Sequence, residues 1–93
     1  MKSLCYSVRL SSLTAISDKC YLATAFDGSE ALIPKSQVFG QDYNVKKSEA
    51  YWISEWILKQ KSLQYSTKKQ AFFDTFTRKE VPHYVVTKHT PEP

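Results

Sequence analysis

The sequence predicts an α+β domain: a small antiparallel β-meander or partly open barrel packed by one or two helices. Three features predict it. Leu4, Tyr6, Val8 and Leu10 alternate with Cys5, Ser7, Arg9 and Ser11, the period-2 pattern of a half-buried strand. An Asp27-Gly28 pair stands between two β-branched and aromatic runs, a short-range hairpin signal. Farther on, apolar residues recur at helical spacing, around Trp52, Trp56 and Leu63 and again around Phe72, Phe73 and Phe76.

Taken in order, the first strand is followed by a Ser/Thr-rich connection and a second strand, Cys20 to Phe26. A type I′ turn at Asp27-Gly28 requires positive φ at both central residues and leads into a return strand, Ser29 to Lys35. Pro34 cannot donate a ladder hydrogen bond, so this strand is an edge or ends there. Gly40 to Asn44 reads as a loop. In Ser48 to Leu63 the first part continues the sheet and the second is a short helix. Ser54 is its N-cap, Glu55 lies in its first turn, and Lys59 and Lys61 lie near its C-terminal end. Ser66 or Thr67 caps a second helix with a Phe72, Phe73, Phe76 stripe, which Val81-Pro82 ends. His83 to Thr87 is a last strand. Residues 1–88 form one domain and 89–93 a tail.

Ninety-three residues make one domain whose net stability is only about 5–10 kcal/mol, too little to maintain a deep cleft easily. Nor do the residues supply a catalytic set. His83 and His89 lack further ligands at metal-binding intervals, so no metal or cofactor is expected. Ser36 has no G-x-S-x-G elbow around it, and two glycines cannot build a phosphate-binding loop. The protein is expected to bind rather than to catalyse. Cys5 and Cys20 sit in apolar runs and are expected to be reduced and packed. In MKSLCYSVRLSSL, Ser7, Arg9, Ser11 and Ser12 interrupt any apolar run, so no secretory signal is read. No stretch reaches the ~18 apolar residues of a membrane span. A cytoplasmic location, away from membranes, is expected.

Charge is unevenly distributed. The formal net charge is +4, and all of the excess falls in residues 46–93, with nine basic against five acidic side chains. From Lys59 to Lys79, six cations (Lys59, Lys61, Lys68, Lys69, Arg78 and Lys79) face only Asp74. Such asymmetry points to a polyanion or an acidic partner. Tyr51, Trp52, Trp56, Tyr65, Phe72, Phe73 and Phe76 are interleaved with these cations, a combination that suits nucleic acid. Helical spacing assigns Trp52, Trp56, Phe72 and Phe76 to the core, and leaves Tyr51 and Tyr65 accessible. In the Pro34-Lys35-Ser36-Gln37 run, a cation, a hydroxyl and an amide suit phosphate or base edges. The same run also serves to end and protect an edge strand.

The Asp27-Gly28 turn, the Ile33-Pro34-Lys35-Ser36-Gln37-Val38 run, and Trp56-Ile57 with Lys59 and Lys61 resemble a loose group of small proteins encoded by phages and other mobile elements. In that group an (I/L)PKSQ(V/I) run precedes a W-(I/L)-x-x-K helix. The resemblance covers about half of the chain; Leu32 and Ser62 depart from the pattern. It implies a phage or mobile-element origin, hence the host cytoplasm, and a compact β-plus-helix fold. It implies no catalytic residues.

The sequence therefore predicts an accessory factor that binds nucleic acid, DNA or RNA. Lys59, Lys61, Lys68, Lys69, Arg78 and Lys79 neutralise phosphates in this reading, and Lys35 and Tyr65 help position the strand. The competing expectation is a protein that docks on a host protein, as an inhibitor of a defence system of the CRISPR kind. A third is a homo-oligomer paired through the Ser29–Lys35 edge.

Overall fold

The computed structural model describes residues 2–81. Within them the fold is mostly antiparallel β. β1 (Lys2–Leu10) is the central strand of a five-stranded sheet ordered β5-β6-β1-β7-β8. Its neighbours are β6 (Glu49–Ser54) and β7 (Gln70–Asp74), with β5 (Val38–Gln41) and β8 (Glu80–Val81) outermost. A second sheet joins β2 (Ser12–Ala15), β3 (Cys20–Thr24) and β4 (Glu30–Pro34) in sequence order.

The alternation in β1 sets its main core face as read, but the strand is not half-buried. Tyr6, Val8 and Leu10 are buried in the main core with Ile53, Ile57, Leu58 and Leu63. Ala23 and Ile33 of the second sheet, with Ala25 just past β3, close that core from the other side. The opposite face of β1 is covered as well. Cys5 is buried there among Phe39, Trp52, Ala71 and Phe73. Phe39 of β5 and Phe73 of β7 have ring centroids 5.5 Å apart, although β6 and β1 lie between their strands. Three strand spacings would put them roughly 14 Å apart in a flat sheet. The sheet therefore curls around this aromatic cluster into a half-barrel. Arg78 bridges the curl: its guanidinium donates to the carbonyls of Ser36 (3.0 Å) and Val38 (2.8 Å) and lies 4.3 Å from the centroid of the Phe39 ring.

One α-helix is present among the described residues, α1 (Glu55–Leu58). Ser54 caps it, accepting from Ile57 N–H at 3.4 Å, as the sequence predicts. The Ser54 hydroxyl also donates to Gln37 Oε1 at 2.5 Å. Gln37 ends a single 3-10 turn, Lys35–Gln37, that follows Pro34. This chain of bonds couples the PKSQ run to the Trp56 helix.

Four expectations are corrected. The second helix is a hairpin. Ala71 and Phe73 face the aromatic cluster, Phe72 lies on the other side of β7, and Phe76 sits in the β7–β8 turn, 86% exposed. The Asp74 carboxylate organises that turn by accepting from Phe76 and Thr77 N–H at 2.7 and 3.0 Å. These phenylalanines mimic helical spacing, but the open edge of β1 over Lys2–Tyr6 recruits the segment as a strand. Trp52 and Trp56 do not share a helical stripe: Trp52 is buried in β6 and Trp56 is 61% exposed on α1. The hairpin turn is not type I′, because Gly28 has positive φ (90°) and Asp27 does not. A three-residue turn forms instead, closed by Gly28 N–H to the Ala25 carbonyl and ending in glycine. Finally, Ser12–Ala15 is a strand rather than a connection, and the first two residues of the loop expected at Gly40 to Asn44 belong instead to the strand β5, Val38–Gln41. Gly40 (φ 139°) makes the latter possible, since it sits at a register shift in the β5–β6 ladder. The strand expected at His83 to Thr87, both histidines and the tail lie outside the described residues.

Both cysteines are free, Cys5 buried and Cys20 half-buried. Burial pushes the Cys5 thiol up to about 12, against the opposing effects of the Ser3 side chain and of the Arg78 charge. Alkylation at pH ~8 should therefore label Cys20 and spare Cys5 until denaturant is added. Mass spectrometry of the labelled protein checks this, and equal labelling rates would contradict the buried second face.

Candidate functional site

β7 ends its pairing with β1 at Gln70↔Tyr6, while β1 continues to Leu10. Beside the uncovered length lies a groove of about 430 Å³. Four parts of the chain build it: β1 itself, the β3–β4 turn, the β5–β6 connection at Val45, and the segment leading from Leu63 into β7. They bring Arg9, Phe26, Tyr65, Lys68 and Lys69 to one concavity, with Ser7 also lining it. Phe26 is there because the three-residue turn makes it the first turn residue, 56% exposed. Arg9 lies 5.5 Å from the Phe26 ring centroid, and its Nε donates to Ser48 Oγ at 2.8 Å. Tyr65 is half-buried and stacks on Tyr6 at 5.8 Å.

Lys69 is anchored. Its Nζ lies 2.6 Å from Asp42 Oδ2, and the Asp42 side chain is 1% exposed. Ser7 Oγ donates to the same oxygen at 2.6 Å, and Asn44 N–H donates to Oδ1 at 3.2 Å. Burial alone would raise the Asp42 carboxyl. The bonds from Lys69, Ser7 and Asn44 together outweigh it and hold the carboxyl below its ordinary value. Lys69 also sits 5.7 Å from the Trp52 ring centroid. Its ammonium is thus partly neutralised, whereas Lys68 is exposed and carries no ion pair among the described residues.

The eight residues singled out by the sequence divide. Tyr65, Lys68 and Lys69 meet in the groove. Lys35 lies in the 3-10 turn, 5.2 Å from the Tyr21 ring centroid. Lys59 forms a surface pair with Glu55 at 3.8 Å, and Lys61 follows the helix. Arg78 holds the curled sheet together, and exposed Lys79 contributes its carbonyl to the β7–β8 hairpin. A second concavity, about 500 Å³, places Arg78 with Lys2, Phe39 and the exposed Trp56. Arg9 and Phe26 are functional candidates that charge clustering overlooks, because both stand in the charge-neutral half. Their signals were present: a cation on the outward side of β1, and a large aromatic directly before a polar turn.

Comparison with protein-family models, with curated proteins and with solved structures found no match to the chain.

Removing Lys69 strands a buried carboxylate, so Lys69→Met should cost about 2–3 kcal/mol at pH 7. Lys68→Met should cost less than about 0.5 kcal/mol. Because the folded Asp42 carboxyl titrates below 3.8, the stabilisation from its ion pair is fully present above that value. It is lost as pH falls through the lower folded value. Urea midpoints should therefore show the Lys69→Met deficit shrinking in acid, and a deficit independent of pH would contradict the assigned ion pair.

Proposed function

We propose that the protein binds nucleic acid in single-stranded form through the groove at the open edge of β1. The observation that carries this reading is the meeting of cations and aromatic rings in one concavity. Such grooves hold phosphates electrostatically and stack bases on rings. Arg9 and Lys68 contact phosphates, Phe26 and Tyr65 offer ring surfaces, and Lys69 adds a weakened charge held in place by Asp42. Lys46 and Lys47, both exposed, directly follow Val45 on the groove wall and extend the positive field. The role is that of an accessory factor, of phage or mobile-element origin as the PKSQ and Trp-Ile segments suggest.

A second reading, docking on an acidic surface of a host protein such as a defence factor, is favoured by the exposed Trp56. Tryptophan and arginine are the usual anchors of such contacts, and here they border the same concavity. Trp56→Ala separates the readings: it removes docking and leaves binding in the groove untouched.

Fluorescence anisotropy with a labelled single-stranded oligonucleotide tests the first reading. Affinity should fall linearly with salt on logarithmic axes, and Arg9→Ala with Lys68→Ala should flatten the slope by about 1.4. Phe26→Ala should weaken binding by ~1–3 kcal/mol and leave the slope alone. Absence of binding at low salt would remove the proposal.

A further inference from the structure

The groove contains one open rung of the β1 ladder. Three bonds define it. Ser7 N–H donates to the Lys69 carbonyl at 3.0 Å, so the backbone groups of Ser7 point away from β6, toward the groove edge. Ser11 N–H donates to the Thr24 carbonyl at 2.8 Å, consistent with the same direction. Between them stands Arg9, whose partner on β6 is Ala50. The Ala50 carbonyl is turned the other way and accepts from Asp42 N–H at 2.7 Å. Arg9↔Ala50 is therefore a non-hydrogen-bonded pair of the ladder, and the N–H and C=O of Arg9 face the groove. Among the described residues no strand meets them: β7 pairs only as far as Tyr6, and β3 is engaged at Ser11.

Deepening the single-strand reading on which it rests, we infer that this rung receives the edge of one unpaired nucleobase. A neighbouring donor and acceptor match what a base presents on its pairing edge, such as the N3–H and O4 of thymine or uracil. The Arg9 N–H donates to O4, and N3–H donates to the Arg9 carbonyl. A peptide strand fits poorly, because strand addition uses several consecutive rungs. Here the N–H groups on either side, of Ser7 and Ser11, are already occupied by the carbonyls of Lys69 and Thr24. The space between Ser7 and Ser11, roughly 13 Å of strand, admits a single planar ring system. Phe26 and Tyr65 line the same groove, and Arg9 and Lys68 stand ready for the flanking phosphates. The required edge is hidden in a duplex, so this contact selects for single strands.

The test combines amide hydrogen exchange of the whole chain with two oligothymidylates, one ordinary and one methylated at N3. In the free protein the Arg9 amide should exchange much faster than those of Ser7 and Ser11. Ordinary oligothymidylate should protect it. N3-methylation should weaken binding roughly tenfold, the worth of one lost hydrogen bond, without altering the salt slope. An Arg9 amide already protected in the free protein overturns the inference. So does equal affinity for the two oligonucleotides, or binding that leaves the Arg9 amide unprotected; in these cases the groove remains a nucleic-acid site. Failure of both oligonucleotides to bind at low salt overturns the groove reading along with it.

Discussion

β1 must bury both of its faces, and the rest of the architecture follows from that constraint. Its even positions, Leu4 to Leu10, need a core on one side, and the second sheet supplies it. On the other side Cys5 needs cover that alternation alone would not demand. Phe39, Trp52 and Phe73 provide it by curling the five-stranded sheet until β5 and β7 approach. β7 stops beside Tyr6, β1 runs on, and the uncovered remainder becomes the groove.

The same curl decides how the cations are used. Arg78 spends its guanidinium on two carbonyls and a ring, which makes it a closing bolt of the half-barrel. Lys69 is drawn to a carboxylate buried by the β5–β6 connection. Such a pair contributes little net stability over an apolar replacement, but it fixes position, since a lone buried charge would be costly. Lysines outside these contacts, among them Lys68 and Lys79, remain surface charges. Charge density along the chain is thus a poor guide to charge density in space.

The Pro34–Val38 run and the helix bearing Trp56 are separate in sequence but joined in the fold by the bond from the Ser54 hydroxyl to Gln37. Ser54 caps the helix bearing Trp56, and Gln37 ends the turn that follows Pro34, so each segment supports the other. Trp56 itself is exposed and takes no part in that support.

Local chemistry was readable in the chain. Alternation of Leu4, Tyr6, Val8 and Leu10 specified β1 and its core face, because side-chain direction in a strand depends only on parity. Asp27-Gly28 specified a hairpin, and Ser54 with Glu55 specified a helix start, because each acts on its nearest backbone neighbours. What depends on distant partners was not readable. Phe72, Phe73 and Phe76 satisfy a helical pattern equally well, and only the unfilled edge of β1 made them a strand and a turn. Arg9 and Phe26 become neighbours of Lys68 and Tyr65 only when the sheet curls, since contacts across some 40 residues leave no local signature. Sequence determined the elements that short-range sterics and hydrogen bonding control; the groove was decided by where long-range pairing stopped.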